Sequence, residues 1–346
     1  MRIAENWKDY SILATGDGYK LERWKDIYLL RPDPQAIWQA QSDLFSFPKL
    51  NAVYRRSDRG GGFWETRKAF PEEWNVSYRD LTFKIKPMGF KHTGLFPEQA
   101  VNWDLMSSLI QKADRPVRVL NLFAYTGGAT VACAKAGAEV THVDAARGMV
   151  ERAGENARLS GIASGIRYIV DDCKKFVQRE IRRGNRYDAV IMDPPSYGRG
   201  PNGEMWKIES ELFPFVGLCS QILSDDPLFF LINSYTTGLQ PMVLKNILTL
   251  NLKRFSGKTE AYEVGIARRR AFPAAREEFT SMDKDLNILY EDNHVIVAQS
   301  PGVPSCGDES GDDSLPKWCD AISKSRTISP QRTWGSYTGW TGPRAA

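Results

Sequence analysis

The sequence lacks several features by which common classes of protein are identified. Its five cysteines form no Cys-x-x-Cys pair and its three histidines are scattered, which argues against a disulfide framework and against a zinc site. No apolar run approaches the ~18 residues of a membrane-spanning helix. The first residues also lack the basic-then-apolar layout of a signal peptide. We therefore expect a reduced, cytoplasmic protein with no metal and no membrane contact.

Charge is equally uninformative about the partner. The formal net charge is only +4, which is too small to identify a nucleic-acid-binding protein by itself. Nothing in the sequence indicates an oligomeric state.

What the sequence does contain is a change of pattern near residue 90. Residues 1–90 hold short alternating runs broken by glycine, proline and aspartate, which predict a small, mostly-β subdomain. Residues 91–282 instead hold apolar strands that alternate with helical stretches. This alternation predicts an α/β fold with a doubly wound, Rossmann-like parallel sheet. The predicted strands are 118–123, 138–144, 166–172, 187–193 and 227–234.

Small and acidic residues follow successive strands of this predicted sheet. Gly127-Gly128 follows the first strand, Asp144 ends the second and Asp172 follows the third. In such a sheet, ligands bind outside the carboxyl ends of the strands, near the reversal in strand order. The glycine pair fits a tight turn, and it also fits close approach of a ligand to a helix N-terminus. The turn lacks the glycine fingerprint of nicotinamide enzymes, which argues against a dehydrogenase.

The fourth strand ends in Asp193-Pro194-Pro195-Ser196-Tyr197. Two successive prolines donate no backbone hydrogen bond and fix φ, so they end the strand abruptly and hold the following residues rigidly. The set of motifs after four strands, taken together, indicates a cofactor crevice with a substrate pocket beside it.

Residues 91–282 resemble class I S-adenosylmethionine-dependent methyltransferases. More narrowly, they are similar to bacterial large-subunit ribosomal-RNA methyltransferases that make 7-methylguanine or 5-methylcytosine. The resemblance depends on the order and spacing of HTGLFPEQ (92–99), VLNLFAYTGGATV (119–131), HVDAARGMVERAGENARLSGI (142–162), VDDC (170–173) and DPPSY (193–197).

The resemblance implies S-adenosyl-L-methionine as cofactor and RNA, in particular ribosomal RNA, as partner. It assigns the residues from Phe123 to Gly128 to the methionine part of the cofactor, Asp144 to the ribose and Asp172 to the adenine. Gly94, Phe96 and Gln99 would close the pocket. The full set of predicted cofactor-binding residues is Gly94, Phe96, Gln99, Asn121, Phe123, Tyr125, Thr126, Gly127, Gly128, Asp144, Asp172 and Asp193.

The predicted catalytic residues are Asp193, Pro194 and Tyr197. An acceptor such as Asp193, helped by the Pro194 carbonyl group, can hold an exocyclic N–H and increase electron density on the attacking nitrogen. An aromatic ring such as that of Tyr197 can stack on a base taken out of its helix.

The absence of a cysteine narrows the choice of the atom that is methylated. Methyltransferases that act on carbon-5 of a pyrimidine first add a cysteine to carbon-6. In the cytosine-methylating relatives this cysteine follows the fifth strand, where Tyr235 stands here. A nitrogen of guanine or adenine is therefore favoured, with Asn233 and Ser234 as polar wall residues. The alternatives are a 5-methylcytosine enzyme, a small-molecule methyltransferase, or an RNA-binding module that has lost its activity.

Two further segments lie outside the cofactor motifs. In residues 53–70, arginines interleave with aromatics around three glycines, which fits either base stacking or a hairpin with solvated charges. Residues 286–313 resemble the opening strands of RluA-like pseudouridine synthases, but the catalytic motif His-Arg-Leu-Asp-Arg-Pro is absent. We expect residues 283–346 to be a truncated fragment, with an isolated hairpin at 286–304 and a disordered remainder.

Overall fold

The structure is a computed structural model that describes residues 1–57, 61–89, 91–199, 205–236, 238–266 and 291–299. Its strands are β1 (Arg2–Ala4), β2 (Tyr10–Gly16), β3 (Tyr19–Trp24), β4 (Ile27–Pro32), β5 (Ala52–Arg56), β6 (Gly62–Thr66), β7 (Trp74–Tyr78), β8 (Leu81–Ile85), β9 (Arg118–Leu122), β10 (Glu139–Asp144), β11 (Ile166–Val170), β12 (Ala189–Met192), β13 (Tyr197–Arg199), β14 (Met205–Lys207), β15 (Phe229–Ser234), β16 (Lys258–Ile266) and β17 (Glu291–Gln299). Its α-helices are α1 (Ala100–Lys112), α2 (Gly128–Lys135), α3 (Arg147–Leu159), α4 (Cys173–Arg183), α5 (Ile208–Ser220) and α6 (Pro241–Asn251).

The N-terminal region is rich in strands, as predicted. Strands β2 to β6 form one sheet in chain order, antiparallel except where β4 and β5 run parallel. Strands β7 and β8 form a separate antiparallel ribbon. The β2–β3 hairpin turns at Asp17 and Gly18, whose φ angles of 50° and 75° suit the turn that matches the twist of paired strands.

A buried ion pair connects this region to the segment between β8 and α1. Glu22 is fully buried and accepts hydrogen bonds from Arg31 Nε at 2.5 Å and from the Tyr10 hydroxyl at 2.7 Å. Burial alone would raise the pKa of Glu22, but the neighbouring Arg31 guanidinium lowers it below its ordinary value. Arg31 also donates to the Lys91 carbonyl at 2.8 Å. Loss of either charge would leave the other buried without its partner, at a cost of several kcal/mol.

The second sheet is doubly wound, which confirms the predicted fold class. Its strand order is β1-β16-β17-β15-β12-β9-β10-β11, and every neighbouring pair is parallel except those made by β17. The chain runs outward from β9 through β10 to β11 and then returns to β12 on the other side of β9. The strand order therefore reverses between β9 and β12, where ligands bind in sheets of this kind.

Two strands of this sheet lie outside the predicted methyltransferase segment. Arg2–Ala4, within the predicted N-terminal subdomain, pairs with β16. Glu291–Gln299, within the predicted C-terminal fragment, pairs with both β15 and β16. The expectation of an isolated hairpin there is wrong for these residues, because an apolar strand gains more by pairing on both edges. The remainder of that fragment, residues 283–290 and 300–346, lies outside the described residues.

The central strands explain why the sheet is stable where the site forms. All residues of β12 are buried, as are the last four of β9. Strands covered by helices on both faces are apolar throughout, because neither face meets water. No helix among the described residues has the length and apolar character needed to cross a membrane.

Candidate functional site

The residues predicted to bind the cofactor lie at one edge of the second sheet. Because β9 to β12 are parallel, the residues that follow them emerge at the same edge. Backbone hydrogen bonds connect these ends: Ala124 donates to Val143 at 3.1 Å, and Asp171 donates to Asp144 at 3.0 Å. The ends of the strands are therefore brought together as the sequence predicts.

The loop after β9 has an unusual backbone. Phe123, Tyr125 and Gly127 have φ angles of 53°, 50° and 82°. Left-handed φ at a bulky residue costs roughly 1–2 kcal/mol and persists only where surrounding contacts fix it.

Those contacts come from three neighbouring segments. The Phe123 N–H donates to Cys173 Sγ at 3.3 Å, and the Tyr125 N–H donates to Asp144 at 2.8 Å. The Thr126 hydroxyl donates to the Gly94 carbonyl at 2.6 Å. The loop is therefore held in place by hydrogen bonds to these three segments.

Packing explains the two glycines after this loop. A Cβ on Gly127 would lie 2.7 Å from the Cβ of Ala153, and one on Gly128 would lie 2.9 Å from the Trp103 ring. Both distances are far below van der Waals contact. Close approach of α2 to α3 and α1 therefore requires glycine at both positions, whether or not a ligand also approaches the backbone.

Asp144 is oriented by the backbone on both sides. Its carboxylate accepts hydrogen bonds from the N–H groups of Tyr125 and Ala146, each at 2.8 Å and each on a different oxygen. Burial raises the pKa of Asp144 above its usual value, while these two hydrogen bonds act in the opposite direction. Each oxygen keeps acceptor capacity, since a carboxylate oxygen can take more than one hydrogen bond. Asp144 thus fits a pair of ribose hydroxyls.

Asp172 serves as the N-cap of α4. Its side chain accepts from the Lys175 N–H at 2.8 Å, and its own N–H donates to the Asp171 side chain at 2.9 Å. An N-cap contact satisfies a helix N–H that would otherwise lack a partner. The contact of Asp172 with the adenine stays a prediction.

The segment before α1 closes the same edge of the sheet. Gly94 has a φ of 95°, and a Cβ there would lie 3.0 Å from Arg152 Nη1. The Phe96 ring lies 5.7 Å from the Tyr125 ring and 4.9 Å from the Tyr235 ring, between centroids. Aromatic rings at such separations stabilise one another. Phe96 therefore connects the loop after β9 with the end of β15.

Gln99 belongs to a buried hydrogen-bond network. Its Oε1 accepts from the Asn102 amide at 2.7 Å and from the Asn233 amide at 2.9 Å. Its Nε2 donates to the Tyr235 hydroxyl at 3.1 Å. Asn233 is therefore occupied within the core and does not fit its predicted place in the pocket wall. Ser234 does not fit either, because it is fully buried. Asn121 is also buried, where its amide donates to Thr130 at 2.9 Å.

Asp193 differs from the other acids of the site. It is partly buried beside β9, and its backbone N–H donates to the Leu122 carbonyl. Its carboxylate has no hydrogen-bond partner among the described residues. Burial, followed by the negative charge of Glu98, raises the pKa of Asp193 to about 7. A carboxyl group of this kind changes its ionisation close to neutral pH, as an acid–base or acceptor group must.

A short hairpin follows Asp193, and sequence patterns alone had not identified it. Strands β13 and β14 pair Tyr197 with Lys207, and Trp206 donates to the Pro195 carbonyl at 2.7 Å. The Trp206 ring lies 5.2 Å from that of Phe123. The signal was available: two short runs with aromatics flank a glycine-rich loop, which is typical of a hairpin. Tyr197 itself is half exposed, with its hydroxyl 2.9 Å from Met205 Sδ.

Cysteine and metal chemistry find no support in the described residues. Cys133, Cys173 and Cys219 are buried, and burial raises the pKa of each thiol. Within the described ranges, His, Cys, Asp and Glu side chains form no group that could hold a metal ion.

The arginines of the 53–70 segment are partly paired. Arg55 and Arg67 both contact Glu65, at 2.7 and 3.3 Å, and Arg55 lies over the Phe45 ring. Phe63, by contrast, is 60% exposed. Each arginine contacts Glu65 through Nε, and a guanidinium has further N–H donors on its Nη atoms.

Comparison with known proteins agrees with the class that this sheet and its edge define. A family model of S-adenosylmethionine-dependent methyltransferases matches residues 49–204. A crystal structure of an S-adenosylmethionine-dependent methyltransferase from Agrobacterium tumefaciens is 32% identical, with a TM-score of 0.78 over 86% of this chain and 93% of that chain. The chain belongs to the S-adenosylmethionine-dependent methyltransferases, and its cofactor is S-adenosylmethionine.

Relatives with named substrates are more distant or overlap only in part. The chain is 34% identical over 145 residues to the ribosomal RNA large subunit methyltransferase K/L of Allochromatium vinosum, covering 41% of this chain and 19% of that protein. It is 23% identical over 244 residues to the ribosomal RNA large subunit methyltransferase K of Neisseria meningitidis serogroup B, covering 68% and 67%. The chain thus spans about a fifth of the length of the first relative.

Proposed function

We propose that this methyltransferase transfers a methyl group to a base nitrogen of RNA, and that the RNA is ribosomal. The names of the relatives support the RNA class. The observation that carries the choice of a nitrogen is the Asp193 carboxylate, which has no hydrogen-bond partner among the described residues. A ribosomal substrate also implies a cytoplasmic location.

Asp193 suits an amino group of a base as its ligand. A carboxylate accepts several hydrogen bonds, so a pocket in which Asp193 has no protein partner suits a substrate that supplies an N–H donor. The Pro194 carbonyl follows directly on the chain and offers a second acceptor. With its pKa raised to about 7, the Asp193 carboxyl is largely ionised at pH 8 and can accept such a hydrogen bond.

The other side of the crevice would orient the cofactor. We assign Asp144 to the ribose hydroxyls, the loop from Phe123 to Gly128 to the methionine part, and Asp172 to the adenine. S-adenosylmethionine supplies an already activated methyl group, so the protein mainly aligns the reactants and excludes water. The fixed backbone of the loop suits this task, because it needs little rearrangement on binding.

Tyr197 is proposed to stack on the base. Half of its surface is exposed, and its strand pairing with Lys207 fixes its position relative to Asp193. Stacking on an aromatic side chain contributes ~1–3 kcal/mol per base and tolerates any base. Selection of the base would then come from Asp193 and Pro194.

Methylation of carbon-5 is not favoured by the described residues. That reaction needs a thiolate that can reach the base. The described cysteines are buried and their pKa values are raised, so each stays a thiol inside the core. Tyr235, at the position of the cysteine in cytosine-methylating relatives, instead contacts Gln99 and Glu98.

The experiment is methyl transfer to an in vitro transcript of large-subunit ribosomal RNA, followed by mass spectrometry of its nucleosides. We expect an N-methylated purine with the unchanged protein and ~10²-fold slower formation of it with Asp193→Ala. A methyl group on carbon-5 of cytosine would contradict the nitrogen assignment. Absence of transfer to this RNA, with activity on small-molecule extracts, would contradict the RNA class.

A further inference from the structure

Glu98 is a buried acid that none of the assigned roles requires. It lies in the turn that enters α1 and is 5% exposed. Its Oε1 accepts a hydrogen bond from the Tyr235 hydroxyl at 3.1 Å. The next residue, Gln99, donates to the same hydroxyl and accepts from Asn233. The turn is therefore fastened to the end of β15 by two successive side chains.

The end of β15 is also the neighbour of Asp193. Strands β12 and β15 are paired in parallel up to Met192 and Ile232, so Asp193 and Asn233 are the next residues along adjacent strands. Glu98 reaches this point through Tyr235, which follows β15 by one residue. The geometry thus places a second buried carboxylate close to the acceptor carboxylate.

Aromatic and amide side chains follow or end the two strands that flank β12. The segment after β9 contributes Phe123 and Tyr125, and burial raises the pKa of Tyr125 to about 12, so that ring is neutral at physiological pH. The end of β15 contributes the uncharged Asn233 and Tyr235. After burial itself, the charge of Glu98 is the influence that raises the pKa of Asp193.

We propose that Glu98, held by the Tyr235 hydroxyl, is a positioning residue that makes Asp193 a stronger acceptor for the proton lost from an exocyclic amino nitrogen. This inference rests on the proposed function and specifies its substrate class as an amino group. A ring nitrogen without hydrogen loses no proton on methylation and would need no such acceptor.

The step balances as follows. The amino nitrogen uses its lone pair to form the N–C bond, while the carbon–sulfur bond breaks and its electron pair stays on sulfur. The nitrogen, now positively charged, gives one proton to the Asp193 carboxylate. Asp193 returns that proton to water after the methylated base leaves. A nearby negative charge makes this carboxylate more basic and so favours the transfer.

The first test is the pH dependence of kcat on the ribosomal-RNA transcript, with saturating cofactor. Glu98→Gln keeps the volume and an oxygen that accepts from Tyr235, and it removes only the charge. We expect the midpoint of the rise of kcat with pH to lie at least ~0.5 pH unit lower than in the unchanged protein. We also expect the plateau value of kcat at high pH to be a few-fold smaller. An unmoved inflection and an unchanged plateau would overturn the inference.

The chain offers a matched control. Glu180 is also fully buried and accepts from a tyrosine hydroxyl, that of Tyr187, at 2.7 Å, but it belongs to α4. Glu180→Gln should leave the pH profile where it is. If both substitutions moved the profile alike, a general effect of removing a buried acid would explain the result and the inference would fail.

The second test needs no substrate. With aspartate labelled by carbon-13 at Cγ, the resonance missing in Asp193→Asn identifies Asp193, and its midpoint can be titrated by NMR. We expect a lower midpoint in Glu98→Gln and an unchanged one in Glu180→Gln. An unchanged midpoint in Glu98→Gln would contradict the inference even if the RNA is methylated. A lowered midpoint in a protein inactive on RNA would contradict the proposed function alone.

Tyr235→Phe provides a second variant if Glu98→Gln does not fold. It removes the hydroxyl that holds Glu98 and keeps the ring packed on Phe96. We expect methylation to persist within a few-fold, with a smaller shift of the midpoint in the same direction. Tyr187→Phe is the matched control and should cause no shift.

Discussion

The two sides of the crevice differ in how their polar groups are used. On the cofactor side, both oxygens of Asp144 and the N–H groups of Phe123 and Tyr125 already have protein partners. On the acceptor side, the Asp193 carboxylate has none among the described residues. The first arrangement fixes a shape before any ligand arrives, whereas the second leaves an acceptor that a substrate can use. Fixed binding groups and one unsatisfied reactive group suit an enzyme whose cofactor is constant and whose chemistry occurs at a single atom.

The largest effect should come from the acceptor side. Asp193→Ala removes the group that we propose contacts the reacting nitrogen, so we expect kcat to fall ~10²-fold or more while cofactor affinity changes little. Single-turnover kinetics and calorimetry would measure the two quantities. Turnover within a few-fold of the unchanged protein would show that Asp193 only ends its strand, and the contrast between the two sides would disappear.

On the cofactor side, Asp144→Ala should weaken binding without a specific effect on the chemical step. Loss of a charged acceptor for two ribose hydroxyls costs ~1–3 kcal/mol. Calorimetric titration with S-adenosylhomocysteine would give the dissociation constant. Asp104→Asn, which changes an acid of α1 that contacts Tyr78 and Arg79, serves as the control, and equal affinities for all three proteins would remove the ribose assignment.

Gly127→Ala tests whether the glycine pair serves packing or ligand approach. The new Cβ would meet Ala153 at 2.7 Å in a backbone with φ of 82°. We expect the free energy of unfolding, measured in urea without cofactor, to fall by ~1–3 kcal/mol. Gly154→Ala, whose Cβ would make only ordinary contacts in α3, should be neutral or stabilising by up to ~1 kcal/mol. Weaker cofactor binding with unchanged stability would favour the ligand explanation instead.

The smallest predicted effect is the loss of folding stability that ionisation of Asp193 causes. The folded-state pKa of Asp193 is raised to about 7, above the ~3.9 of an unfolded aspartate. The folded protein therefore loses stability as pH rises from about 4 through 7, because Asp193 must ionise in a partly buried place. Asp193→Asn should raise Tm by a few degrees at pH 8 and by less at pH 5, in thermal unfolding experiments. Equal changes at the two pH values would contradict this assignment.

The sequence allowed a good prediction of which residues gather at the sheet edge. Apolar strands alternating with helices imply parallel pairing, and parallel pairing brings the residues after each strand together. Asp144 and Asp193 could be placed in this way without knowledge of any contact. The class of enzyme came from the resemblance of the motifs after these strands to a known family.

Partners of those residues could not be predicted in the same way. The bond between Gln99 and Asn233 joins residues 134 apart in the chain, and no periodic pattern records it. The packing reason for Gly127 depends on how closely α2 approaches α3. The place of strand β17 in the sheet was missed for a related reason: its apolar pattern suits any strand, and the register that inserts it between β15 and β16 is a tertiary feature.

Strand β1 cannot pair with β16 until the ribosome has synthesised the intervening residues. Arg2 pairs with Val264, and its side chain contacts Glu260 at 3.0 Å. At a synthesis rate of ~5–20 residues per second, the ribosome needs roughly 13–50 s to produce the partner strand after the first residues emerge. Throughout that interval the backbone groups of residues 2–4 lack the partner strand that later hydrogen-bonds with them. Residues 2–4 therefore join the sheet among the last, and this edge should form slowly in refolding as well.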